Sequence, residues 1–401
     1  MAAPQPPLTP TKFLGDDGFP DDLVLLILGR IPCKDDRGNM SLVCKAWHDS
    51  IDRLIKTKPV PPTPPTLPWL VLPAPNSDGS FRFVCILSGS RAHHEHRFSS
   101  NIPLGARCFG SYDGGWLFLA FRDRHDYQLL DIRSGDIHSV PGKMLIPDHP
   151  QHRHPIRMII ESATLSASPD EENCAAVFVV RAPVPPNYRY LATWQKGWRC
   201  AVAIRSPDGF FIPDDVLYHD ESFHVLRGDA DVLMYKPDSE DWEKRRFFHP
   251  GGLDEQARSQ YLVPSRGGLL LVVRFSPSPD QPTSMFKVFR ATTRPQTPDD
   301  ADFPVAEFPW AWSEMDTLDG RILFVGYGCS RSYDADQYPG IEAGIYFFDD
   351  GESNDEGVFF RDHNVTPYPC SDNGKYSGGH VQSCFPTTDP SDYSPPAWLL
   401  P

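Results

Sequence analysis

Two different rhythms of apolar positions divide the chain. Over residues 19–56 apolar side chains recur at helical spacing. After Phe19-Pro20, Asp21 and Asp22 put negative charge where a helix begins, and Leu23, Leu26, Ile27 and Ile31 follow on one face. Gly29 weakens the end of this helix and Pro32 stops it. A second helix is predicted over Ser41–Ile55, with Leu42, Val43, Ala46, Trp47, Ser50, Ile51 and Leu54 as its apolar stripe. Beyond residue 80 the rhythm changes to short β-branched and aromatic runs bounded by Gly, Pro, Asp and Ser. FRFVCIL, GGWLFLA, YQLLDI, AAVFVV, SFHVL, VLMYKP, GLLLVVRF, FKVFRA, RILFVGY and GIYFFDD all read as strands. YQLLDI, then Arg133-Ser134-Gly135-Asp136, then IHSV reads as a hairpin. No stretch between 80 and 401 makes an amphipathic helix of three turns. The most apolar strands centre near Trp116, Phe178, Phe223, Leu270 and Phe324, at intervals of 45 to 62 residues. Several strands per unit at such a period fit a β-propeller better than a large sandwich, although no kelch or WD signature marks each unit.

The two regions are separated by PVPPTPPTLPWLVLPAP, residues 59–75, with eight prolines in seventeen positions. This is extended polyproline suited to a spacer, with an SH3 or WW docking site as the less favoured reading. The expected organisation is a flexible tail over 1–18, a helical module over 19–56, a proline-rich linker with a lead-in strand over 57–75, and a β domain over 76–401. At 401 residues the chain has room for one small and one large domain.

Composition narrows the partners. Residues 1–58 are neutral, with eight basic and eight acidic side chains. Residues 59–401 carry the whole formal charge of −15, as 30 basic against 45 acidic groups. An acidic domain repels phosphate backbones and anionic lipid, so neither nucleic acid nor membrane is expected as a main partner. Nine widely spaced cysteines with no CxxC predict reduced, mostly buried thiols. The opening segment has no apolar signal core and no run is long enough to span a bilayer, so a cytoplasmic and/or nuclear setting is expected.

A search for catalytic chemistry returns little. There is no GxSxG, no GxxxxGK[ST] and no HExxH. Gly326-Tyr327-Gly328 opens like a dinucleotide fingerprint but sits in a strand with no helix behind it. His93-His94-Glu95-His96, and His149, His152 and His154, hold metal-ligand chemistry, but in irregular polar segments that read as solvated loops. Asp349-Asp350-Gly351-Glu352 with Asp355-Glu356 lacks the alternation of an EF-hand and reads as a charged hairpin turn. No cofactor and no metal are expected, and no carboxylate pair can be selected for hydrolysis.

The stretch FPDDLVLLILGRIPCKDDRGNMSLVCKAWHDSI resembles an F-box. Phe19-Pro20 stands at the opening Leu-Pro, Asp22-Leu23 at the acidic–apolar step, Ile27 at the helical Ile and Ile31-Pro32 at the second apolar–Pro. Leu42-Val43-Cys44-Lys45-Ala46-Trp47 reproduces the closing Leu-Val-Cys-Lys/Arg-x-Trp almost unchanged. Asp36-Arg37-Gly38-Asn39-Met40 departs from the pattern and implies a shortened middle helix. The remainder is similar to the C-terminal domain of plant F-box proteins with a KIB-type β-propeller. LPWLVLP, CFGSYDGGWLFLA with YQLLDIRSGDIHSVP, YLVPSRGGLLLVVRF, the stretch 312–350 and the closing AWLLP carry that likeness, whereas 142–200 matches poorly.

The resemblance implies a non-catalytic substrate receptor of an SCF (Skp-cullin-F-box) ubiquitin ligase. It binds a Skp-type adaptor, and through it a cullin, while the propeller holds an unidentified protein target. Adaptor contact is expected from Phe19, Pro20, Leu23, Ile27, Ile31, Leu42, Val43, Cys44 and Trp47, some of which must instead form the module's own core. The rival readings are a stand-alone propeller interaction module and, less favoured, a propeller hydrolase with carboxylates converging on its central channel. If Trp69–Leu72 pairs with C-terminal residues, the propeller is closed by both ends of its own chain.

Overall fold

In the computed structural model, the helical rhythm of the N-terminal segment is realised as three short helices, α1 (Asp21–Leu28), α2 (Lys34–Met40) and α3 (Lys45–Thr57). The residues described are 20–31, 33–57, 66–74, 80–88, 102–121, 126–147, 154–182, 189–204, 212–237, 239, 241–249, 257–278, 281–295, 303–350, 367–386 and 389–401. The tail 1–18, Phe19 and the polyproline stretch 59–65 lie outside them. The chain divides into two compact units, Met1–Thr66 with Asp336–Ile341, and Leu67–Ala335 with Glu342–Pro401.

The helix predicted over Ser41–Ile55 starts later, at Lys45. The N–H groups of Ser41, Leu42 and Val43 close back on the carbonyls of Gly38, Asn39 and Met40, and the Ser41 hydroxyl donates to Gly38 as well. These local bonds compete with a helix start and make a turn of 41–44. Leu42 and Val43 are thereby removed from the apolar stripe.

The second unit is a six-bladed β-propeller, one sheet to each blade among the described residues. Blade one holds Arg107–Tyr112, Trp116–Phe121, Asp126–Asp131 and Ile137–Val140 as a simple meander. The predicted hairpin is its outer pair, with Tyr127 opposite Val140 and Gly135 at φ 84 in the turn. Blade two holds Ile159–Leu165, Ala175–Arg181, Arg189–Gln195 and Ala201–Ile204, extended outward by Lys143–Leu145 and Ile156–Arg157. Blade three is Pro213–His219, Ser222–Arg227, Val232–Lys236 and Asp241–Arg245. Blade four is Ala257–Ser265, Gly268–Phe275, Met285–Thr293 and Trp310–Glu314, with Phe247–Phe248 outside.

Blade five breaks the meander. Its order is Arg331–Asp334, Arg321–Phe324, Gly344–Phe347, Gly374–Ser377 and His380–Gln382, and the second and third of these run parallel. Blade six joins the two ends of the domain. Trp69–Pro73 lies between Phe81–Cys85 and Ala397–Leu399, with Trp69, Leu70 and Val71 opposite Leu399, Trp398 and Ala397. The closure expected from Trp69–Leu72 is therefore present.

The five most apolar runs in the sequence are all the second strand from the axis in their blades. Such a strand is covered on both faces. In Trp116–Phe121, the side chains of Trp116, Phe118 and Ala120 pack towards blade two, while Leu117, Leu119 and Phe121 pack towards blade six. In Gly268–Phe275, Leu269, Leu271 and Val273 face blade three and Leu270 and Val272 face blade five. Double coverage removes the alternation of polar and apolar positions that a half-exposed strand needs. None of the nine cysteines is in a disulfide, and six of them are buried. No helix among the described residues is long and apolar enough to cross a membrane.

Candidate functional site

The helical module separates its apolar side chains into two sets. Val24 and Leu28 of α1, Met40 of α2 and Ile51 and Leu54 of α3 form a buried core. Ile27, Ile31 and Trp47 are half-buried and pack against that core. The Pro20 carbonyl accepts the N–H groups of Leu23 and Val24 and so starts α1, with Asp21 and Asp22 in its first turn. Arg53 of α3 pairs with Asp21 at 2.6 Å.

The second set is uncovered within this unit. Leu23 is 45% exposed, Leu26 51%, Leu42 77% and Val43 67%. Pro20 and Cys44 are exposed beside them in sequence. Leu23 and Leu26 are three residues apart and share a face of α1 that the core residues Val24 and Leu28 do not occupy. Of the sequence-predicted contact residues, then, Pro20, Leu23, Leu42, Val43 and Cys44 are free to touch a partner. Ile27, Ile31 and Trp47 serve largely inward, and Phe19 lies outside the described residues. Leu26 was absent from that set, and its spacing from Leu23 is the signal that finds it.

The propeller's second feature is a polar cavity of about 40 Å3 on its axis, lined by side chains from blades one, two, three, five and six. Its lining is not purely apolar, since it includes Arg107, Glu161, Arg189, Asp214 and Asp350. The acidic groups there are held by cations. Glu161 pairs with Arg181 and Arg189, both at 2.7 Å. Burial pushes its carboxyl up, and the two guanidinium groups pull it back. Burial likewise lifts Asp214 to about 6 against Arg189, 3.7 Å away.

Between blades four and five a denser cluster is shut off from solvent. Arg274 is fully buried and pairs with Asp350 at 3.1 Å and Asp372 at 2.7 Å. It also donates to the Phe348 carbonyl and to the Thr283 hydroxyl. Arg258 bridges Asp349 and Asp372, and the Tyr261 hydroxyl donates to Asp350 at 2.6 Å. The acidic run read as a charged hairpin turn, and its first two residues, Asp349 and Asp350, are the anionic half of a buried ion-pair cluster. Gly351, Glu352, Asp355 and Glu356 lie outside the described residues, as do His93-His94-Glu95-His96, His149 and His152. His154 is exposed. Among the described residues no group of three or more His, Cys, Asp or Glu is placed to hold a metal ion.

Gly326-Tyr327-Gly328 has a packing role in place of a phosphate-binding one. Gly328 takes φ 73, and a Cβ there would meet the Ala163 carbonyl oxygen at 2.2 Å. Its N–H donates to Asp215 at 2.7 Å. Asp215 also accepts the N–H groups of Val216 and Leu262, at 2.8 and 2.9 Å, and so ties blades three, four and five together.

Burial lifts the Asp215 carboxyl to about 7, with the three N–H donors pulling against it. Its folded value thus lies above the unfolded carboxylate range near 4, so the native state keeps a proton that the unfolded chain releases. The stability this supplies is full below about pH 4 and is lost as pH rises through 7. His224, which burial lowers from 6.5 to about 4, has the opposite sign but acts only below 6.5. Between pH 6.5 and about 8 the melting temperature of the wild type should therefore fall more steeply than that of Asp215→Asn. Scanning calorimetry at matched ionic strength measures the two slopes, and equal slopes would contradict this account.

Comparison with known proteins agrees with both halves. The F-box domain family model matches residues 17–59, and the KIB1-4 beta-propeller family model matches residues 86–366. No curated protein matches. Among solved structures, TolB from Acinetobacter baumannii is 10% identical, with a TM-score of 0.39 over 92% of this chain and 74% of that one. The N-terminal domain of Nup159 is 9% identical, with a TM-score of 0.34 over 79% and 73%. A Saccharomyces cerevisiae assembly of Dbp5 with Nup159 and Gle1 is 13% identical, with a TM-score of 0.32 over 65% of this chain. The match spans 65% of that chain, just under two thirds of its length. At these scores the structural likenesses add nothing to the assignment. The propeller family model covers well over half of the sequence, and the chain belongs to the KIB1-4 β-propeller family, with an F-box domain ahead of its propeller.

Proposed function

We propose that the chain is the substrate-recognition subunit of an SCF ubiquitin ligase, binding a Skp-type adaptor through its F-box and a protein target through its propeller. The observation that carries this reading is the uncovered set Leu23, Leu26, Leu42 and Val43 on a helical module that already has a complete core. Large aliphatic side chains left in water on a module that has its own core mark a docking surface. Covering each of them is worth on the order of 1–2 kcal/mol before association costs. The adaptor in turn links to a cullin, and the receptor contributes proximity. Holding a target lysine near a charged conjugating enzyme raises its effective concentration and needs no nucleophile from this chain. The arginine pairing of Glu161 and Asp350 supports a structural use of the channel carboxylates over a hydrolytic one. The proposed setting is the cytoplasm and/or nucleus, where such ligases assemble.

Leu42→Asp with Val43→Asp tests the surface with little risk to the fold, because both side chains are already exposed. Calorimetric titration with a purified Skp-type adaptor should show saturable binding by the wild type. The double variant should lose about a hundredfold or more in affinity at an unchanged melting temperature. Equal affinities for the two proteins would remove these residues from the interface.

A further inference from the structure

Near the axis blades two and three share an apolar core built around Val177, Leu191, Phe223 and Val225. Further out the blades part, and a groove of about 720 Å3 opens between their third and fourth strands. Its lining includes Pro147, Gln195, Trp198, Tyr235, Pro237 and Trp242. Among the described residues that line it, eleven in number, none is charged, although charged residues make up 23% of the chain. In a domain with a large acidic excess, this groove is a neutral, aromatic-walled exception. A charged occupant would lose its hydration there without gaining a counter-charge.

The aromatic groups are set in advance. Tyr235 and Trp242 are cross-strand partners with ring centroids 4.7 Å apart. Trp198 is 44% exposed, yet its backbone is fixed in a tight turn. Its N–H donates to the Gln195 carbonyl at 2.9 Å, its own carbonyl accepts the Trp194 indole N–H at 3.0 Å, and Gly197 between them takes φ 90. An exposed indole on a preset backbone gives contact area at low entropic cost.

The strands behind the groove limit what can occupy it. Arg189–Gln195, Ala201–Ile204 and Val232–Lys236 are each paired on both edges and offer no free ladder to an incoming β-strand, so among the strands that line the groove an open edge is left at Asp241–Arg245, which carries Trp242. The match is to a segment that brings its own backbone order and seeks ring faces. We propose that this groove binds an uncharged, proline-rich segment of a partner protein in the polyproline II conformation. Pyrrolidine rings pack on aromatic faces, and a polyproline II segment arrives already extended. Its carbonyls have no internal partners, and the Gln195 amide and the Trp198 indole N–H supply donors. This deepens the proposed function by naming the target feature that the propeller reads, and it rests on the propeller being the target-binding module.

The test is calorimetric titration of the full-length protein with an acetylated, amidated Pro-Leu-Pro-Pro-Leu-Pro peptide. The same peptide with every Pro replaced by Gly is the control. Saturable binding of the proline peptide is expected, weakened about tenfold or more by the glycine control and by Trp198→Ala. Gln195→Arg, an exposed position, should weaken it similarly by bringing charge into the groove without touching the core. Absent binding by the wild type, or undiminished binding by both variants, would overturn the proposal. Adaptor affinity measured on the same preparation separates the two readings. Peptide binding without adaptor binding leaves the groove standing and removes the ligase role, while the reverse removes the groove alone.

Discussion

Deleting residues 394–401 will abolish or sharply lower the cooperative melting of the whole propeller, not only of its last blade. These residues touch three blades at once. Ala397–Leu399 pairs with Trp69–Val71 to complete blade six. Gly114 and Gly115 of blade one donate to the carbonyls of Pro401 and Leu400, both at 2.9 Å, and the Cys108 N–H donates to the Ser394 hydroxyl at 3.0 Å. Trp398 is fully buried, with its indole N–H on the Val325 carbonyl and Phe324, Phe348 and Phe385 meeting it edge-on at 5.0, 5.3 and 5.9 Å. Removing that ring alone is worth about 3–5 kcal/mol. The buried Leu399 and Leu400 and the broken ladder go with it. Total stabilities are only about 5–15 kcal/mol, so the truncation consumes most of the margin. Trp398→Ala is the milder version and should lower the melting temperature by roughly 10 °C. Thermal scans followed by far-ultraviolet circular dichroism measure both, and a truncated protein that melts like the wild type would refute ring closure by the two ends.

Arg274→Met should cost about 3–5 kcal/mol, because it strands charge where water cannot reach. Arg274 has no exposed side-chain surface, and Asp350 and Asp372 are nearly as deep. Their carboxyls lose the cation that made burial tolerable, and Thr283 and the Phe348 carbonyl lose their donor. The energetic fault lies in the under-compensated acids, with Asp350 left to the Tyr261 hydroxyl and Asp372 sharing Arg258 with Asp349, and not in the residue's volume. Arg274→Met combined with Asp350→Asn and Asp372→Asn should therefore be more stable than Arg274→Met alone. Denaturant unfolding of the three proteins decides this. A triple variant less stable than the single one would mean that the cluster acts through packing and not through charge.

How legible each element was follows from its surroundings. The second strands of blades one to five stood out because neighbouring blades cover both their faces, which gives unbroken runs such as WLFLAF and GLLLVVRF. The hairpin at Asp131–Asp136 stood out because its turn chemistry is local: Asp131 accepts the Arg133 N–H and the Ser134 hydroxyl. The inner strands were hidden. IIESATL is buried at every position, yet Glu161, Ser162 and Thr164 kept it out of the runs that read as strands. Its Glu161 is held by Arg181 and Arg189 from other strands, and no local pattern shows that. The order of blade five was hidden for a similar reason, since a parallel crossover leaves no period in the sequence.

In the helical module α1 and α3 were legible from the apolar rhythm, whereas α2 entered only through the family resemblance and the start of α3 was not legible. The turn at Ser41–Val43 depends on hydrogen bonds that a helical wheel ignores. That turn matters for function, because it lifts Leu42 and Val43 out of the expected helical stripe and leaves them the two most exposed aliphatic positions among the described side chains of the module. Arg274 left one usable trace, a lone charge inside an otherwise apolar run. A charge so placed is retained only when something pairs with it.

The most direct test of the receptor reading is light scattering coupled to gel filtration of the full-length protein mixed with a Skp-type adaptor and a cullin. The account predicts one co-eluting species containing all three proteins, which loses this chain alone when Leu42→Asp and Val43→Asp are introduced. A folded wild-type protein that elutes apart from an intact adaptor–cullin pair would contradict it, and would leave the propeller as a binding module outside any ligase.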